Sequence, residues 1–224
     1  QIDGDLLWNY SMPPKFKRKY IKLPPHGETN VTKLAHLYRL GLRNRYGDKM
    51  QSTAGIHFNF SFSDSVIRAL GNNKTEIYLG ISRNFLRIFP LVLRLMGCSP
   101  VAHKSFLKGR RINIENLDQE DCYLPYSTSL RVSRLGYYSE EQDENFITFN
   151  SLGDYLATIE SYINNPNEKF KDISLDLKQQ VNNGTIQMES ELYNHIRPKG
   201  IISKEIRAYN QLKDNGIEYL EIRS

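Results

Sequence analysis

From Ile56 to Phe62 the chain alternates without a break, placing Phe58, Phe60 and Phe62 on one side and His57, Asn59 and Ser61 on the other. A period of two means a strand with one face for a core and one polar face. The run stands among helical stretches. Asn30 or Thr32 can cap a helix to about Tyr46, with Leu34, Leu37, Tyr38, Gly41 and Leu42 on one face and Gly47 ending it. Thr75 is placed to cap a helix to about Met96, apolar nearly all round in its second half and expected to kink at Pro90. Cys98-Ser99-Pro100 opens a short helix ending near Gly109. Residues 109–150 read as irregular, with an acidic surface loop at Glu140–Asn145, and Ser151 precedes a helix of about Leu152 to Ile163. Ile186 to Ile196 and Gly216 to Arg223 read as strands, and Lys204 to Asp214 as a helix. Separated strands and long helices without a regular βαβ rhythm predict an α+β fold built on an antiparallel sheet.

Composition narrows the class. At 224 residues the chain can bury a real core, and 39% hydrophobic with 25% charged residues is ordinary globular usage. Two cysteines, Cys98 and Cys122, imply no disulfide framework, and a reducing cytoplasm fits. The most apolar stretch, Phe85 to Met96, carries Arg87, Pro90 and Arg94, so a buried helix is expected there and no membrane span. A chain opening at Gln1 and stopping on a strand-like run reads as a piece of a longer protein. Net charge is +5, and Lys15-Phe16-Lys17-Arg18-Lys19-Tyr20 is the most basic run. It reads either as a wet loop after Pro13-Pro14 or, with Arg39 to Arg45, as a nucleic-acid surface.

The sequence contains no zinc-finger spacing, P-loop, dinucleotide-binding glycine fingerprint or His-Glu-x-x-His motif. Chemistry has to come from polar side chains on strands. Glu221 and Arg223 lie two residues apart, about 7 Å along a strand and aimed the same way. A carboxylate beside a guanidinium suits a place where a metal ion meets a phosphate, and equally a cross-strand salt bridge on a wet face. His57 can be a ligand or a hydrogen-bonded structural histidine. Arg39 and Arg43, four apart on one helix face, can clamp phosphates or be solvated, and Tyr38 reads as a core residue. Arg131, Tyr137 and Tyr193 together would make an amino-acid pocket or an ordinary domain surface.

A set of ordered segments adds to this. They run from Leu37-Tyr38-Arg39 and Asn44-Arg45-Tyr46-Gly47, through Met50-Gln51 and Gly55-Ile56-His57-Phe58-Asn59-Phe60-Ser61, to Arg83-Asn84-Phe85. Further on come Leu124-Pro125-Tyr126, Thr128-Ser129-Leu130-Arg131, Leu135-Gly136-Tyr137, Glu191-Leu192-Tyr193, Ile196-Arg197-Pro198-Lys199 and Glu221-Ile222-Arg223-Ser224. In this order, from about Leu7 to the end, they closely resemble the proteobacterial-type glutamate–cysteine ligases. The resemblance implies a glutamine-synthetase-like antiparallel sheet with packed helices, whose concave face holds Mg²⁺, ATP and the substrates L-glutamate and L-cysteine. It makes residues 1–224 the central part of one catalytic domain, with the family's first strands and a helical C-terminal part outside it. It implies His57 and Glu221 at the metal, Arg39 and Arg223 facing phosphate, and Tyr38, Gln51, Arg131, Tyr137 and Tyr193 around cysteine. A monomeric cytoplasmic enzyme with no nucleic-acid or membrane partner is expected. A related carboxylate–amine ligase with another acceptor, or a basic nucleic-acid-binding module, are the competing readings. Arg134 and Gly200 depart from the family pattern, the first where an acid is usual beside the pocket, the second where a further basic residue is usual.

Overall fold

The computed structural model describes residues 7–16, 21–23, 25–108, 113–136, 138–143, 147–201 and 206–223. Seven helices and six strands are found among them: α1 (Asn30–Tyr46), β1 (His57–Phe60), α2 (Asp64–Leu70), α3 (Lys74–Met96), β2 (Val101–His103), α4 (Lys104–Leu107), β3 (Glu115–Asn116), β4 (Asp121–Tyr123), α5 (Glu140–Asp143), α6 (Leu152–Asn164), β5 (Ile196–Lys199), α7 (Ala208–Asn215) and β6 (Tyr219–Arg223). The strands form two antiparallel three-stranded sheets, ordered β1-β6-β5 and β2-β4-β3. The fold is α+β, as expected. No helix among the described residues is long and apolar enough to cross a membrane.

Local chemistry explains most element ends. Thr29 caps α1, its hydroxyl accepting from the Thr32 amide, one residue before the expected start. Gly47, at φ 83°, closes the helix with its amide on the Arg43 carbonyl. Asn73 caps α3 through the Glu76 amide. Thr75, the expected cap, instead accepts from the Ile217 amide and ties α3 to the approach to β6. α3 runs continuously through Pro90. Ser151 caps α6 through Asp154, as the sequence suggested.

The larger core joins α3, α6 and the apolar side of the first sheet, with Tyr78, Leu79, Tyr155, Ile159, Ile196, Leu212 and Leu220 buried in it. A smaller one joins the segment 7–16 to the second sheet and α4, around Met12, Ala102, Phe106, Leu130 and Leu135. Several sequence expectations are corrected. Leu34 stays exposed, in the outer turns of α1 ahead of the buried Tyr38, Gly41 and Leu42. Phe58 is 60% exposed, so only Phe60 and Phe62 of the alternating run reach the core. The stretch after Cys98 forms β2 before its helix, and the region from 109 contains β3, β4 and α5. Ile186–Ile196 is not a strand. Its Glu191 and Leu192 amides bond to Met188 and Glu189 in a 3₁₀ turn (Glu189–Glu191), and the ladder starts only at Ile196. The last helix starts at Ala208, while residues 204–205 of that expectation lie outside the described residues.

Candidate functional site

Antiparallel register decides which side chains share a face, because residues directly opposite each other point the same way. His57 faces Arg223 and Asn59 faces Glu221 across β1 and β6, while Arg197 faces Glu221 and Lys199 faces Tyr219 across β5 and β6. One face of this sheet is therefore His57, Asn59, Arg197, Lys199, Tyr219, Glu221 and Arg223. The other carries Phe58, Phe60, Ile196, Pro198, Leu220 and Ile222, of which Ile196 and Leu220 are buried and Phe60 and Ile222 are packed against the core. The strand pattern puts an almost wholly ionic row on one side of a hydrophobic support.

At its centre is Glu221. Its side chain is only 12% exposed, and three basic groups surround it at 3.7–4.0 Å: Arg223 Nε, His57 Nδ1 and Lys199 Nζ. All three are beyond hydrogen-bonding reach, so among the described residues the carboxylate accepts no hydrogen bond. Arg223 Nε donates to His57 Nε2 at 3.1 Å, which requires a lone pair there and makes a neutral His57 carry its proton on Nδ1, towards Glu221. Burial, then the Arg223 charge, holds His57 below the ordinary histidine pKa, against the opposite pull of Glu221. Lys199 is also lowered, by burial first, with Glu221 opposing. Glu221 thus stands at ion-pair distance from Arg223, Lys199 and the His57 ring without a hydrogen bond from any of them.

Arg223 joins this row to a second group. Its Nη1 donates to the Leu192 carbonyl at 3.3 Å, and Arg131, Tyr193, His195 and Arg223 line a cavity of about 20 Å³. His195 stacks on Phe89, and burial followed by Arg131 and Arg223 lowers its pKa to about 4. Tyr193 packs edge-on against Tyr46, with ring centroids 5.8 Å apart. The third group stands on α1 and the turn after it. Tyr38 is buried, Arg39 is exposed with its guanidinium 6.0 Å from the Tyr38 ring, and Gln51 Nε2 donates to the Arg39 carbonyl at 3.4 Å. Arg43, the other half of the supposed clamp, is spent on Asp48 and the Ile21 carbonyl. Tyr137 lies outside the described residues. Sequence reasoning gave no role to Arg197 and Lys199, although the alternation Ile196-Arg197-Pro198-Lys199 was the signal that they share a face.

The family model for glutamate–cysteine ligase matches residues 1–224. The chain belongs to the glutamate–cysteine ligase family. Curated glutamate–cysteine ligases resemble it along its length: 39% identity with that of Aliivibrio salmonicida over 97% of this chain, 38% with Hahella chejuensis over 98%, and 34% with Azotobacter vinelandii over 100%. The chain spans only 44–45% of the length of these relatives. A solved glutamate–cysteine ligase of Francisella tularensis, in complex with AMP, superposes with a TM-score of 0.80 at 32% identity, over 88% of this chain and 41% of that one. A bifunctional glutathione synthetase of Pasteurella multocida shares the fold, at TM-score 0.51 and 22% identity.

No group of three or more His, Cys, Asp or Glu side chains with metal-binding geometry occurs among the described residues. Glu221 offers an oxygen of the kind Mg²⁺ takes, whereas His57 would first have to release its Nε2 lone pair from Arg223. The carboxylate accepts no hydrogen bond from a described residue, and its 3.8 Å separation from His57 Nδ1 lies between the about 3.0 Å that cis and the about 4.2 Å that trans ligands of an octahedral ion span. Of the basic run behind the nucleic-acid reading, residues 17–20 lie outside the described residues. Arg45 is buried against Glu191, Arg43 is paired with Asp48 and Lys15 with Glu120, so these cations are engaged within the fold.

Proposed function

We propose that this chain supplies part of the catalytic domain of an ATP-dependent glutamate–cysteine ligase, the first step of glutathione biosynthesis, and forms the central part of that domain. In the proposed reaction the glutamate γ-carboxylate attacks the terminal phosphorus of ATP, giving γ-glutamyl phosphate and ADP. The cysteine amine then attacks the acyl carbon, the amide forms, and inorganic phosphate and a proton leave. A carboxylate is a poor electrophile until phosphate is its leaving group, and catalysis is then mostly positioning and charge stabilisation.

The observation that carries this reading is the Glu221 carboxylate, nearly buried, hydrogen-bonded to no described residue and surrounded by Arg223, His57 and Lys199 on one sheet face. Mg²⁺, when bound, would neutralise phosphate charge there. Glu221 would supply an oxygen to it, and His57 a ring nitrogen once its bond to Arg223 is released. Arg223 is aimed along the same face and is assigned the transferring phosphoryl group, with Arg39 as the second phosphate-facing cation. Arg131 and Tyr193, beside Arg223 on the small cavity, are assigned to the cysteine pocket with Tyr38, Gln51 and Tyr137. A soluble monomer in the cytoplasm is the setting proposed.

The test is phosphate release by the full-length protein with ATP and Mg²⁺. Release is expected to need both glutamate and cysteine, and to fall when cysteine is replaced by other amines. The 224-residue chain alone is expected to release none, because its described residues hold no group of three or more His, Cys, Asp or Glu side chains able to gather metal ions where two phosphate groups and a third anion must be brought together. Glutamate- and cysteine-dependent release by the 224-residue chain would refute the second expectation, and its absence from the full-length protein the first.

A further inference from the structure

Two of the sequence segments singled out above, Asn44-Arg45-Tyr46-Gly47 and Glu191-Leu192-Tyr193, give only Tyr193 to the chemistry just proposed, yet the fold binds them to each other. Arg45 Nη1 and the Tyr46 hydroxyl both donate to Glu191 Oε1, at 3.2 and 2.8 Å, and the Arg45 and Glu191 side chains are 0% exposed. The second carboxylate oxygen accepts from the Gln187 amide and side chain, at 2.8 and 3.1 Å. Burial first, then Glu191, pushes the Tyr46 phenol far above its usual pKa, so it stays a donor at any working pH. The backbone just beyond this pair, Leu192 to Asn194, lies in neither a helix nor a ladder, and its polar groups need partners from elsewhere.

Those partners come from two sides. From the sheet, Arg197 Nη2 donates to the Ser190 carbonyl at 3.1 Å and to that of Leu192, which also receives Arg223 Nη1. From the opposite side comes one side chain, Gln142 on α5. Its Oε1 accepts the Tyr193 amide at 2.7 Å and its Nε2 donates to the Glu191 carbonyl at 3.1 Å. A primary amide bonded this way stands in for a strand rung, fixing the backbone on either side of Leu192.

We propose that Gln142 is a positioning residue for the acceptor pocket, holding Tyr193 in place from behind without touching substrate. The inference rests on the assignment of Tyr193 to the cysteine pocket made above. Gln142 acts on the Tyr193 side of Leu192, whereas the phosphate-facing Arg223 reaches Leu192 from the sheet, so loss of the clamp should loosen acceptor binding and spare phosphoryl transfer.

The experiment compares full-length wild type with Gln142→Met, which keeps the length and loses both hydrogen bonds, and Gln142→Glu, which keeps the acceptor for the Tyr193 amide and loses the donor. The cysteine KM is expected to rise about tenfold in the Met variant and about threefold in the Glu variant, the scale of two and of one lost hydrogen bond. The kcat and the ATP and glutamate KM values should stay within about twofold. Direct titration of cysteine into each variant gives the same ranking without turnover, and the Glu variant serves if the Met variant folds poorly. Normal wild-type turnover with an unmoved cysteine KM in both variants overturns this inference alone. So does a parallel loss in kcat and every KM, which marks a merely structural role. A wild-type enzyme without cysteine-dependent phosphate release overturns the functional reading, and this inference with it.

Discussion

Arg223 spends its guanidinium in several directions at once: Nε on His57 Nε2, Nη1 on the Leu192 carbonyl, and the charge 3.7 Å from Glu221. Its own amide bonds the His195 carbonyl at 2.9 Å, so the backbone beneath the side chain is also fixed. Lysine keeps the charge but is a point donor on a flexible stem and cannot reproduce that planar fork. In the full-length enzyme Arg223→Lys should therefore lower kcat by about 10–100-fold, the worth of a charged hydrogen bond, while the cysteine KM moves less than about threefold. Tyr193→Phe should act the other way, raising the cysteine KM more than it lowers kcat. Steady-state kinetics on the two variants decide the matter, and the inverse pattern would require the two roles to be exchanged.

Elements were legible where a cap and a periodicity agreed. For α6, Ser151 satisfies a free amide and the apolar stripe has the helical period, so local and tertiary preferences coincide; for α1 the period placed the helix, although its cap is Thr29 and not the expected Asn30 or Thr32. The juxtaposition of His57, Glu221 and Arg223 was partly legible too, since period two fixes which side chains share a face, but register between β1 and β6 had to come from the fold. Ile186–Ile196 misled because Gln187 and Glu191, which alternate like strand residues, turn inward to a buried polar network that no local pattern announces. Gly41 shows the same network from the helix side. A Cβ there would lie 1.9 Å from Gln187 Oε1 and 2.6 Å from its Cδ. Gln187 cannot swing away cheaply, because it is buried and already bonded to the Val181 amide, the Tyr38 carbonyl and Glu191. Alanine gains about 1 kcal/mol of helix propensity over glycine, yet overpacking costs about 1–3 kcal/mol and the freed polar atoms more. Gly41→Ala should thus lower the stability of the chain by about 2 kcal/mol, or Tm by about 4–8 °C. A Tm unchanged or raised on thermal melting would show that Gln187 yields after all.

At the scale of the whole molecule, the same cationic face that suits phosphate sets how folding responds to acid. His195 is stacked on Phe89 beside Arg131 and Arg223, and burial first, then those two charges, holds its folded pKa at about 4 against 6.5 when free. A base lowered in this way adds stability that is fully present above pH 6.5, where neither state is protonated. As pH falls from 6.5 towards 4 the unfolded chain takes up a proton that the folded one refuses, and that stability is lost. His57 is lowered in the same sense, but at 39% exposure solvent screens much of its share. Glu141, whose carboxyl Lys169 and Ser139 hold below its usual range, adds a loss of the same sign at lower pH. Each separate linkage here runs towards acid sensitivity, and His195 is the one most easily removed, since phenylalanine keeps the stack on Phe89 and never titrates. Urea melts at pH 7.5 and pH 4.0 should show wild type losing about 2–3 kcal/mol more over that interval than His195→Phe, whatever the variant does to stability at pH 7.5. Equal losses in the two proteins would mean that His195 is protonated in the folded state, and that Arg131 and Arg223 do not press on the imidazole as closely as their placement around the small cavity implies.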